Sequence, residues 1–363
     1  METKSERENK KADRMNICGI QQIGIGVKNA GEAWKWYRQA FGMDIRVFED
    51  TAIARLMLPY TNGAVCERYA ALAMNMEGGG GFEIWQHTRM DPRPPLFEVQ
   101  LGDTGIFICK MKCRNIQRAF REHQSAGLTI TGMLSTDPQG QSHYYLKDPF
   151  SNIFEIVEEP ICFMKQKSLT GGVAGAVIGV SDIEEARKVY SGILQYNRVV
   201  YDETGRFDDL SGLPGGNERY RRTLLKHDPR TGPFSQLLGP SQLELIQPLE
   251  RTPRKIFEDR IWGEPGFIHL CFDVTGMDDL KNTCEQKGFP FTVNSADSFD
   301  MGSTAGHFSY ISDPDGTPIE FVETHKLPII EKLGWHLNLK GRSSKKPLPR
   351  WMVKTLIFSR VKD

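Results

Sequence analysis

Gly266-Phe-Ile-His-Leu-Cys-Phe-Asp-Val274, with Ser312-Asp-Pro-Asp-Gly-Thr-Pro-Ile-Glu-Phe-Val322 downstream, decides how the rest of the chain is read. The first stretch alternates. Ile268, Leu270, Phe272 and Val274 share one face of a strand, and His269, Cys271 and Asp273 share the other. One face can bury against a helix while the other carries polar groups into a hollow. In the second stretch an Asp-Pro-Asp-Gly turn feeds another strand, where Glu320 stands between the apolar Ile319 and Phe321. A histidine and a glutamate on polar strand faces are ligand types for a divalent metal, and two ligands leave a site incomplete. The remaining ligands must come from elsewhere in the chain.

Working outward, the same unit recurs. Ile17–Val27 reads as a strand with Gln22 on its polar face, and Asn29 caps a helix that runs to Phe41 and stops at Gly42. Strands follow around 45–48, 55–58 and 69–74. After Gly78–Gly81 comes Phe82-Glu-Ile-Trp-Gln-His87, with Glu83 on one face and Phe82 and Ile84 on the other. A second unit holds the strand 106–113, a helix capped by Asn115, and an Asp-Pro turn before the strand that carries Glu155. A third holds the strand 174–180, a capping box at Ser181-Asp-Ile-Glu184, a Gly- and Arg-rich excursion over 202–240, and the strand that carries Glu244. The opening quotation belongs to the fourth. The Gly-x-Gly at Gly24 and Gly26 lies inside a strand and has no third glycine opening a helix, so it does not read as a dinucleotide loop. The strand–helix–strands unit thus occurs four times, in an order of two related pairs. The divisions are a disordered leader (1–14), a first module pair (15–160), a linker (161–170), a second pair (171–325) and a basic tail (326–363).

This arrangement resembles the vicinal oxygen chelate superfamily, the glyoxalase/bleomycin resistance/dioxygenase fold, over about residues 15–325, and the resemblance implies an α+β fold of four βαβββ modules paired into two cupped mixed sheets. The members it is most similar to are glyoxalase I and methylmalonyl-CoA epimerase. The resemblance implies a metal ligand position on the first and last strand of each module. Those positions hold Gln22 and Glu83, Ile108 and Glu155, Gly175 and Glu244, and His269 and Glu320. The set closest to glyoxalase I is Gln22, Glu83, His269 and Glu320 around one divalent ion (Zn, Ni, Co or Mn), with Glu320 and Glu83 as the catalytic carboxylates. Crossed pairing, first module with fourth and second with third, would assemble that set and leave Ile108, Glu155, Gly175 and Glu244 without a metal. Glyoxalase I typically has an arginine for the glutathione carboxylate where this chain has Gly26, which argues against glutathione as cosubstrate.

The implied activity is a metal-dependent lyase or isomerase that moves a proton next to a metal-chelated carbonyl of a small oxygenated substrate. One alternative is an Fe(II) extradiol-type dioxygenase, which needs two histidines and a carboxylate, whereas Gly175 stands where the second histidine would be. The other is a non-enzymatic small-molecule binder of the bleomycin-resistance type. His87 and His307 lie close in sequence to the ligand strands and receive no role.

Composition sets the outer bounds. Apolar and charged fractions of 39% and 25% are those of a soluble globular chain, and a formal charge of zero offers no general attraction for nucleic acid. No apolar run reaches the roughly 20 residues of a membrane helix. Seven scattered cysteines read as reduced thiols of a cytoplasmic protein, and the expected partner is a small-molecule substrate. Composition leaves the oligomeric state open. The tail carries ten Lys or Arg against Glu331 and Asp363, a net of +8, interleaved with Trp335, Trp351 and Phe358. Such a segment either wraps the body or meets phosphates or an anionic membrane surface.

Overall fold

The computed structural model describes residues 15–296, 299–301, 304–330, 335–339 and 343–362; the leader over 1–14 lies outside the described residues. The first module is β1 (Asn16–Gly26), α1 (Ala30–Phe41), β2 (Ile45–Ile53), β3 (Glu67–Met74) and β4 (Gly81–His87). The second is β5 (Gly105–Cys113), α2 (Ile116–Ser125), β6 (Thr129–Thr136), β7 (Ser142–Lys147) and β8 (Ile153–Glu158). The third is β9 (Thr170–Gly179), α3 (Ile183–Tyr190), β10 (Arg198–Gly205), β11 (Tyr220–Lys226), the short helix α4 (Ser235–Leu238) and β12 (Gln242–Pro248). The fourth is β13 (Gly266–Thr275), α5 (Met277–Gln286), β14 (Val293–Asn294), β15 (Phe299–Met301), β16 (Thr304–Ser312) and β17 (Pro318–Ile330). The tail adds β18 (Trp335–Asn338), α6 (Arg350–Lys354) and a 3-10 turn over Thr355–Ser359.

Local chemistry sets these boundaries. Asn29 Oδ1 accepts the Glu32 amide at 3.1 Å, Asn115 Oδ1 accepts that of Arg118 at 2.9 Å, and Gly42 ends α1 with φ at +64°. The third helix departs from the expected Ser181 box. Asp182 is its cap, accepting Glu184 and Glu185 amides at 2.7 and 3.0 Å, while the Ser181 amide donates to Asp315. The strand expected at 55–58 is a 3-10 helix, Arg55–Tyr60. Pro59 has no N–H to give a ladder, and the turn that follows holds Asn62 at φ +52°, so the chain coils there and tucks Met57 inward.

Strand order settles how the modules combine. One curled sheet runs β14-β16-β17-β13-β1-β4-β3-β2 and so joins the fourth module to the first; the other runs β10-β11-β12-β9-β5-β8-β7-β6 and joins the third to the second. Each seam is an antiparallel pair of first strands, β1 with β13 and β5 with β9. The sheets share one apolar core that draws on all four modules, including Ile23, Phe41, Phe154, Ile178 and Phe272.

Two matched hydrogen bonds tie one sheet to the other. Tyr37 on α1 donates to Asp148 in the β7–β8 turn at 2.7 Å, and Tyr190 on α3 donates to Asp313 in the β16–β17 turn at 2.8 Å. In each turn the other carboxylate oxygen accepts two backbone amides, those of Phe150 and Asn152 or of Asp315 and Thr317. The Asp-Pro motifs that marked the second and fourth modules are therefore the docking points for the helices of the first and third. Among the described residues no helix is long and apolar enough to cross a membrane. All seven cysteines are free thiols.

A buried hydrogen bond to a carboxylate is worth about 1.5–3 kcal/mol. Tyr37→Phe and Tyr190→Phe should each lower stability by about that amount. The double variant should lose close to the sum, because the two sites share no partner. Urea denaturation measures all three, and a double variant no weaker than either single one would refute two independent ties.

Candidate metal centre

Crossing the seam between β1 and β13 brings together residues that are almost 250 positions apart. β4 lies parallel to β1 with Glu83 beside Gly24, and β17 lies parallel to β13 with Glu320 beside Cys271. Across the seam itself Gln22 faces Cys271, and Gly24 faces His269. The two strand pairs thus present the same constellation twice, related by the local symmetry of the seam. His269 Nε2 lies 3.2 Å from an oxygen of Glu83 and 3.2 Å from one of Glu320, and Gln22 Nε2 donates to that same Glu320 oxygen at 3.4 Å. All four residues named from the sequence therefore meet at one point.

Gly24 belongs to the arrangement too, and polarity alone did not flag it. A Cβ at that position would lie 2.5 Å from His269 Cε1, so glycine leaves the space the imidazole fills. The ring is stacked on Trp262 at 6.0 Å and 17° and meets the edge of Tyr310 at 5.6 Å. Burial works against a charge on His269. The carboxylates of Glu320 and Glu83 outweigh it and hold the imidazolium up to about pH 9.

The donor set suits a divalent ion. Glu83, His269 and Glu320 each offer a ligand atom, all within 4.8 Å of one another, and among the described residues they form the one trio of that kind. Gln22 Oε1 and both ring nitrogens of His269 are buried without a hydrogen-bond partner. Nε2 lies 3.2 Å from both carboxylates yet meets hydrogen-bond geometry with neither. An imidazole, two carboxylates and an amide oxygen form a mixed N/O set of the kind zinc and its neighbours accept.

Above this point the sheet encloses a cavity of about 340 Å³. Phe48, Leu72, Trp85, Trp262, Phe308 and Tyr310 are among its walls, and Gln22, Glu83 and Glu320 reach into it. Parts of the chain outside the first and fourth modules complete the wall: Phe234, Leu237 and Leu238 from the third module, and Leu356 from the tail. His87 and His307 are not in the wall. His87 Nε2 contacts the Trp262 carbonyl at 3.2 Å. Gly26 leaves no room for a larger residue, since a Cβ there would meet the Glu264 carbonyl oxygen at 2.1 Å.

The second sheet repeats the geometry with a different cation. Ile108 and Gly175 occupy the first-strand positions, and Lys110, one strand period beyond Ile108, inserts its ammonium between Glu155 (2.5 Å) and Glu244 (2.7 Å). Arg222 also bonds Glu244, and reaches Asp209 at 2.7 Å. His143 lies between Glu155 (2.9 Å) and Asp209 (3.3 Å); burial disfavours its charge, and these two acids raise it to about 9. Tyr201 donates to Glu244 at 3.0 Å. Lys110, Arg222, Glu155 and Glu244 are all at most 2% exposed. Sequence reading had Glu155 and Glu244 without metal partners but did not find Lys110. The available signal was a lysine in an otherwise apolar strand, Ile106-Phe-Ile-Cys-Lys-Met111.

Removing one member of a buried ion network costs about 3–5 kcal/mol, because the remaining charges stay buried. Lys110→Met should therefore destabilise the fold by about that much in chemical denaturation. A loss below about 1 kcal/mol would mean that the ammonium does not balance these carboxylates.

Two family models of the Glyoxalase/Bleomycin resistance protein/Dioxygenase superfamily match the chain, over residues 19–156 and 176–305. No curated protein sequence matches it. Among solved structures, glyoxalase I from Zea mays aligns with a TM-score of 0.51 at 13% identity, covering 84% of this chain and 92% of that one. A Bacillus subtilis protein described as a candidate dioxygenase aligns with a TM-score of 0.56 at 12% identity, covering 96% and 97%. At such identities the likeness is one of fold. With both halves matched, the chain belongs to the Glyoxalase/Bleomycin resistance protein/Dioxygenase superfamily.

Proposed function

We propose that the protein is a metal-dependent lyase or isomerase of the glyoxalase/epimerase kind, with one divalent ion (Zn, Ni, Co or Mn) held by Gln22, Glu83, His269 and Glu320. The observation that carries this reading is the convergence of those four side chains, with unpartnered ligand atoms, at the floor of an apolar cavity. A bound ion would supply Lewis acidity, polarising a substrate carbonyl so that the neighbouring C–H becomes acidic.

The chain's own groups supply the rest. Glu320 is the base that takes the proton, and the Gln22 amide orients its carboxylate. Glu83, the same distance from His269 on the far side, is placed to return a proton from the other direction. The aromatic walls exclude water and strengthen each charge interaction at the floor. They also define the substrate as a small oxygenated molecule with an apolar body. The closed space at Gly26, which leaves no room for an arginine side chain there, supports a reaction that does not use glutathione. One imidazole at the floor also supports this reading over an iron dioxygenase that takes two.

The purified protein should carry about one equivalent of metal. Gln22→Ala and His269→Ala should each weaken the same site by at least about tenfold. Because His269 must shed its proton to bind, affinity should rise by close to tenfold per pH unit between pH 6 and 8, approaching its plateau near pH 9. Calorimetric titration of the stripped protein checks both points. Two equivalents per chain, or a Gln22→Ala variant with native affinity, would overturn the site. For the reaction, deuterium uptake from solvent into apolar α-hydroxyketones, followed by NMR, should fall by about two to four orders of magnitude in Glu320→Gln. An unchanged rate in that variant would remove Glu320 as the base. A protein that binds no metal would favour a small-molecule carrier.

A further inference from the structure

The cavity mouth combines two features that chemistry at the floor does not require. Ile53, Arg55 and Leu56 both line the cavity and face solvent, which marks them as its edge; Ile53 and Leu56 are 46% and 45% exposed. Leu356 enters the same wall from the tail. Its neighbour Phe358 is 81% exposed, and Trp351 in the preceding helix is 57% exposed. Residues 350–361 are tied to the body. Arg360 pairs with Asp44 at 3.1 Å, the Val361 amide donates to the Asp44 carbonyl at 2.8 Å, and Arg350 lies over the Phe163 ring at 4.5 Å. Leu356 thus ties this segment to the cup, while Trp351 and Phe358, before and after it in the chain, stand exposed.

The second feature is charge. Residues 343–362 contain Lys345, Lys346, Arg350, Lys354, Arg360 and Lys362 and no acidic residue, in a chain whose formal charge is zero. All but Arg360 are exposed. Exposed Trp and Phe among lysines and arginines match the interface of a bilayer, where the rings enter the headgroup layer and the cations meet lipid phosphates. A second copy of this chain fits less well, because a twofold contact would set the same cations against each other.

We propose that the C-terminal segment, through the exposed rings of Trp351 and Phe358 and the cations around them, docks on an anionic lipid surface. Because Leu356 of this segment belongs to the cavity wall, docking would bring the cup close to the layer in which apolar molecules concentrate. The inference is independent of the chemistry proposed for the floor and would stand if no metal were bound.

Co-sedimentation of the full chain with vesicles tests it. Vesicles of phosphatidylcholine and phosphatidylglycerol in about equal parts should retain the protein at least about tenfold better than phosphatidylcholine alone, and about 0.5 M salt should release it. Trp351→Glu and Phe358→Glu should each cut retention several-fold, with metal content and thermal melting unchanged. Equal binding to both vesicle types, or binding that neither variant alters, overturns the proposal. So does a dimer in solution that Phe358→Glu dissociates, which would make this face a contact between copies.

Discussion

The antiparallel pairing of β1 with β13 is the constraint on which the rest of the molecule depends. It closes a sheet from the two ends of the body, and its register sets Gln22 opposite Cys271 and Gly24 opposite His269. Side chains alternate along a strand, so a slip of one residue would turn Gln22 and His269 into the helix-covered core and drive Ile23 and Leu270 into the cup. That core already holds both apolar residues, which penalises the slipped register strongly. Burial of the outer face thus holds the polar constellation of the inner face in place.

The two sheets show two ways of balancing the same buried acids. In each, a pair of glutamates on the strands beside the seam faces inward. Around Glu83 and Glu320 the compensating groups are one imidazole and an amide, and ligand atoms remain without hydrogen bonds. Around Glu155 and Glu244 an ammonium and a guanidinium supply the charge from within the chain, Tyr201 adds a hydrogen bond, and His143 stands 2.9 Å from Glu155. Glu83 and Glu320 keep 12% and 9% of their side chains exposed, against 2% and 1% for Glu155 and Glu244, and the deeper pair is the one whose counter-charge is covalently attached. A lysine in that position fills the space between the acids. This fits the proposal of a single reactive centre.

Part of the cavity wall, by contrast, comes from outside the first and fourth modules. The cup's floor belongs to the first and fourth modules, whereas α4 of the third module and the tail contribute Phe234, Leu237, Leu238 and Leu356 to its wall. These are the segments in which the chain departs from its own repeat. Insertions can change the shape of the hollow without disturbing the strand register that holds the floor, which is how one fold serves different substrates.

The sequence by itself indicated the repeated strand–helix–strands unit and the helix caps at Asn29 and Asn115. These follow from local causes: alternation along strands, and a side chain that satisfies the first amides of a helix. The set Gln22, Glu83, His269 and Glu320, and the crossed pairing that gathers it, came from the resemblance to a known family. Tertiary structure decided the rest. Lys110 is one lysine among many until the β5–β9 seam places it between two glutamates that are 89 residues apart. Gly24 matters through a ring delivered from β13, and Tyr37 and Tyr190 through turns in the opposite sheet. Strand 55–58 gave way to a 3-10 helix, because Pro59 and the turn after it outweighed an apolar run. Contacts made across long stretches of chain leave no periodic signature in the sequence, so packing alone determines them.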